Sequence, residues 1–253
     1  ENGAKKVQST ATSVGTDSTV WTSGWYVVTG NVTIPERITV TGDVHLILAD
    51  QCTLQAQKGI EVNQEGAGLT IYAQSTGADM GCLEATGNNN GQAGIGGDGN
   101  GFQGSITING GRITATGSSG SAGIGGIWQT FSTELPSSGS ITINGGTVTA
   151  TGGSNAAGIG IGGNNGSSVA ITINGGTVQA VGGANGGAGI GTRENSTNGS
   201  FAIAIHGGDV CATGTGGGAG IGAGAFGSNQ GKITITGGTV YAQGGSDSSG
   251  AGA

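Results

Sequence analysis

A phrase in which isoleucine alternates with a small residue, threonine in four copies and alanine in one, recurs five times, at Ser105–Gly111, Ser140–Gly146, Ala170–Gly176, Ala202–Gly208 and Lys232–Gly238. A second phrase follows each copy, at Arg112–Ala115, Thr147–Ala150, Thr177–Ala180, Asp209–Ala212 and Thr239–Ala242. A third, built on Ala-Gly-Ile-Gly, occupies 93–96, 122–125, 157–160, 188–191 and 219–222. In every phrase the apolar residues fall two apart, the period of a strand with one buried face. Gly-Gly pairs after the first phrase supply corners that can take positive φ.

Each repeat therefore predicts three short strands, too few to bury their own apolar faces. Stacking coils about 4.8 Å apart places Ile on Ile, Val on Val and Ala on Ala in one continuous core. This predicts an all-β fold, a right-handed parallel β-helix with three strands per coil of about 30 residues, the hand following the rule for parallel crossovers. The amino-terminal third uses the same grammar with larger side chains. Leu46–Leu48 and Leu69–Ile71 match the first strand, Thr53–Ala56 and Cys82–Ala85 the second, and Lys58–Glu61 the third, with Val32–Ile34 and Ile38–Val40 opening the stack. Residues 1–24 fit no repeat and read as an amino-terminal cap, with Trp21 and Trp25 read as cap packing in preference to a binding platform; 25–253 are the β-helix repeats. Ser249–Ala253 breaks off where earlier copies run on into Ile-Gly, so the last coil reads as incomplete.

Composition sharpens this picture. Glycine takes 61 of 253 residues and charged residues only 8%, which without the repeat would describe a disordered chain. Seven basic residues against fourteen acidic ones argue against nucleic acid as a partner and against electrostatic docking on membranes. No apolar run of about 18 residues predicts a membrane span. Cys52, Cys82 and Cys211 have neither disulfide-framework nor metal-ligand spacing and read as incidental. Residue 1 is Glu, and no leader follows it, so a secretory signal is expected to have been removed or never included.

The combination of Trp25–Val28, Ile38–Val40, Leu46–Asp50, Leu69–Tyr72, repeated Ile-Thr-Ile-Asn-Gly-Gly and Ala-Gly-Ile-Gly-Gly resembles secreted or cell-surface β-helix modules of anaerobic gut-type bacteria. The resemblance covers residues from about 25 to the end. It implies an extracellular, surface-exposed module of the kind labelled carbohydrate-binding or adhesin-like, with a polysaccharide or a host or cell-surface glycan as partner. The motif specifies architecture and says little about activity.

Candidate chemistry lies outside the repeated core. Loops after the third strand, at 97–104, 126–139, 161–169, 191–200 and 222–231, vary while the strands do not, and in-register coils bring them to one edge. They carry Phe102, Trp128, Gln129, Phe131, Glu134, Arg193, Glu194 and Phe226, an inventory suited to sugars: aromatic faces for C–H surfaces, amides and carboxylates for hydroxyls. Trp128 and Phe131 fit a ligand platform or a local lid equally well. Asn109, Asn144, Asn174 and His206 share one corner position and predict a structural ladder of side-chain hydrogen bonds.

No cofactor or metal is expected. Asp98 and Asn100, in Gly96–Gly101, offer calcium-type oxygens, but one acid without a partner loop is a poor site. Catalysis on a polysaccharide needs convergent carboxylates, and from Gly87 onward no two acids occupy equivalent positions in adjacent coils; the amino-terminal part is richer in acids, but Asp43 and Asp50 read as corner residues and Glu61 as an outward strand position. The Thr file at 107, 142, 172 and 234, interrupted by Ala204, is too irregular for an ice-binding face. The leading expectation is a non-catalytic rigid spacer or adhesin with glycan binding along the loop edge. The alternatives are a structural subunit that assembles end to end into a filament, and a polysaccharide lyase or hydrolase.

Overall fold

The computed structural model describes residues 10–88, 91–98, 101–127, 138–161 and 167–246. It is a right-handed parallel β-helix with three strands per coil and, among the described residues, no helix. The Ile-Thr-Ile phrases form a nine-stranded sheet, and the Val-x-Ala and Ile-Gly phrases form one of eight strands each. Every neighbouring pair of named strands is parallel and separated by one coil. In the first sheet Ile106 pairs with Ile141, Ile141 with Ile171, Ile171 with Ile203 and Ile203 with Ile233. In the second, Val148 lies beside Ile113 and Val178, and Ala150 beside Ala115 and Ala180.

Identical residues at identical positions produce this register, because a slip of one would turn every isoleucine outward. The buried members form one cluster running from Val14 to Ala212, most of it without solvent contact. Beyond it, in the last described coil, Ile233 and Ile235 are 44% and 51% exposed.

The segment read as lying outside the repeat is described from residue 10, and it pairs within the stack. Thr12–Ser13 adds to the first sheet beside Tyr26 and Val27, and Val20–Trp21 adds to the third beside Thr39 and Val40. Trp21 is fully buried and stacks on Tyr26 with centroids 5.5 Å apart. This segment thus continues the coil geometry with a sequence that does not repeat it.

Candidate functional site

The loop edge is not one continuous surface. Phe102 corrects the sequence expectation: it is fully buried, and its ring occupies the space in which a Cβ on Gly139 would lie 2.3 Å away. The backbone N–H groups of Ser138 and Gly139 donate to its carbonyl at 2.9 and 3.0 Å. Phe201 has the same relation to Gly231 in the next coil. A glycine one coil later was the signal for an interior ring.

Arg193 is a second correction, being only 5% exposed. Burial works against its charge and Glu194 partly supports it. Glu194 is half-buried, whereas Phe226 is 73% exposed at a φ of 55°, a strained conformation for an aromatic residue. Trp128, Gln129, Phe131, Glu134 and Asn100 lie outside the described residues.

The corner ladder forms in two pieces. The Asn144 side-chain amide donates to the side-chain oxygen of Asn109 at 2.8 Å, and that of Asn174 donates to Asn144 at 2.7 Å. His206 Nδ1 instead meets Thr236 Oγ1 at 2.7 Å. All four ladder residues are exposed, so the bonds line the outside of the solenoid.

Two groupings were not anticipated. On the outer face of the Ile-Gly sheet, Arg37 Nη1 donates to the carbonyls of Lys58 and Ala93 at 2.7 and 3.2 Å, and Nη2 to that of Gly97 at 2.8 Å. Its Nε lies 3.8 Å from Glu61 Oε2. One guanidinium therefore ties residues of successive coils together.

Glu61 has its carboxyl pushed up, first by burial and then by the charge of Asp98, with Arg37, Thr39 and Asn63 pulling the other way. Asn63 Nδ2 also donates to Asp98 Oδ1 at 2.8 Å. The outward strand position read for Glu61 thus also has an acid, Asp98, acting on it. Glu61 pairs with Gly96, and Asp98 stands two residues further on, so the period of two returns it to the same face.

The second grouping is aromatic. Trp25 pairs with His45, and Ile47, two residues beyond His45, pairs with Tyr72. Val44, Leu46 and Ile71 point into the core, so Trp25, His45 and Tyr72 project outward from the first sheet. Trp25 stacks on His45 at 4.4 Å and on Tyr72 at 5.4 Å, with interplanar angles of 18° and 29°. His45 and Tyr72 are 6.1 Å apart, much closer than the ends of a three-ring column would be. The indole therefore spans both smaller rings.

Asp43 Oδ2 lies 3.3 Å from His45 Nε2, with its side chain 70% exposed. His45 Nδ1 is buried without a hydrogen-bond partner, so the tautomer bearing its proton on Nε2 leaves only a lone pair unsatisfied. Tyr72 has its phenol raised, by burial first and by Asp43 second.

Comparison with known proteins speaks to the repeat. The family model described as a beta helix repeat matches residues 106–128, 141–165, 171–192 and 233–253; no curated protein and no solved structure matches the chain. The coil holding Ala204 and His206 falls between matched stretches, yet it pairs in register on both sides. Sequence repeat and coil geometry coincide, and the chain is a β-helix repeat protein.

Proposed function

We propose that this chain is a non-catalytic extracellular module, a rigid spacer with adhesive capacity for glycans. The observation that carries the reading is the in-register core from Val14 to Ala212, which makes a stiff rod out of a chain with few charges. A rod whose coils interlock side chain on side chain holds its ends at a fixed separation. Its outer faces carry mostly threonine, asparagine and other small polar groups, which suit hydroxyl-rich partners.

A second reading, a polysaccharide-active enzyme, has Glu61 in its favour, since a carboxyl raised by burial and a neighbouring acid is the profile of a general acid. Against it, Arg37 is committed to backbone carbonyls and reads as a staple. Incubating the whole protein with a panel of insoluble polysaccharides separates the readings. Retention without new reducing ends or unsaturated products is the expected result. Product formation lost in Glu61→Gln would favour the enzyme, and neither retention nor product would remove the glycan part of the proposal.

A further inference from the structure

We infer that Trp25, lying across His45 and Tyr72 with Asp43 at its rim, is a binding platform for an uncharged pyranose unit of a polysaccharide. The inference rests on the glycan-binding reading above and moves its site from the loop edge to the outer face of the first sheet. The core beneath is closed without these rings, since Val44, Leu46, Leu69 and Ile71 are fully buried. Toward the amino-terminal end, Trp21 is itself fully buried and stacked on Tyr26. Core packing therefore does not account for three outward rings.

The arrangement has the parts that sugar recognition needs. An indole stacked on two rings is held flat before any ligand arrives, so binding loses little side-chain freedom. One face of Trp25 rests on His45 and Tyr72, and the residue is only half-buried, leaving part of the indole in solvent for the C–H face of a pyranose. Asp43 stands at the rim as an acceptor for sugar hydroxyls, positioned by His45. The same file continues as Thr70, Thr107, Thr142 and Thr172, one small hydroxyl per coil, leaving a level path for a longer chain. A fixed carboxylate and a net charge of -7 oppose uronate-rich chains. The chemistry thus selects a neutral sugar over an acidic one.

Affinity electrophoresis of the full chain through gels containing hydroxyethylcellulose, galactomannan or polygalacturonate tests this. The wild type is expected to be retarded by at least one neutral polysaccharide and not by polygalacturonate. Trp25→Ala should weaken that retardation on the order of tenfold or more, as for removal of an aromatic anchor, with Trp25→Phe intermediate and an unchanged thermal midpoint in both. Asp43→Ala, on an exposed side chain, keeps the test valid if Trp25→Ala folds poorly, and should weaken binding severalfold. Tyr241→Ala, on another sheet, should bind as wild type. If Phe226→Ala abolishes retention while Trp25→Ala and Asp43→Ala do not, the platform is wrong and the glycan reading stands. Absence of wild-type retardation in both neutral gels overturns both, and retardation by polygalacturonate overturns the uncharged ligand.

Discussion

Gly160 lies so close to Gly191 of the next coil that a Cβ on the first would stand 1.9 Å from the carbonyl oxygen of the second. The two are register partners in the Ile-Gly sheet, and Gly160 has a φ of 149°. A side chain there meets both a steric wall and backbone strain. Gly160→Ala is expected to cost more than about 3 kcal/mol, strain plus displacement of the neighbouring coil. Gly66, at a φ of 80° with open space around it, provides the comparison, and Gly66→Ala should cost about 1 kcal/mol. Chemical denaturation of both variants checks this, and equal losses would contradict it.

The Asn144 amide is bonded on both sides, to Asn109 and to Asn174. Asn144→Ala removes two exposed bonds and should cost about 1 kcal/mol. Asn144→Asp should cost more, because it loses the donor toward Asn109 and sets oxygen against oxygen. Thermal midpoints in the order wild type, Ala, Asp support the ladder, and an Asp variant as stable as wild type speaks against it.

Glu61 gives a pH test. Its folded carboxyl is raised by burial and Asp98, so the folded state binds that proton more tightly than the unfolded one. The resulting stability is present below the ordinary carboxylate range and is lost as pH rises through the folded value. Glu61→Gln mimics the protonated form and should melt higher than wild type at about pH 7, the two converging below about pH 4. The guanidinium bonds of Arg37 to Lys58, Ala93 and Gly97 do not depend on Glu61. A less stable Gln variant at neutral pH would mean that the ion pair outweighs burial.

Phe102 separates packing from binding. Phe102→Ala should cost about 3–5 kcal/mol through a cavity against Gly139, and the folded fraction should keep its polysaccharide affinity. Lost affinity at unchanged stability would restore Phe102 to a ligand surface.

The coil architecture was legible because Ile-Thr-Ile and Thr-Val-Thr-Ala state strand, face and register at once, and because each corner repeats its glycines. The Asn109–Asn144–Asn174 ladder followed from equal positions in successive coils. Arg37 with Glu61 and Asp98 escaped because the two acids are offset by two residues, and comparing only equal positions overlooks pairs that share a face. For Trp25 the sequence leaves cap packing and a binding platform both open: Trp25 and Tyr26 are adjacent, one must point in and the other out, and only the pairing of Tyr26 with Leu46 decides which. Phe102 and Arg193 show that a loop residue's character does not reveal its burial where a glycine in the next coil opens room.

Hydrogen exchange resolved along the chain tests the rigid rod most directly. The account predicts slow exchange of comparable magnitude for the amides of Ile106, Ile141, Ile171 and Ile203, with faster exchange confined to the ends of the stack and the loops. Rapid or independent exchange in any of those interior coils would show a string of separately opening units and would contradict a spacer of fixed length.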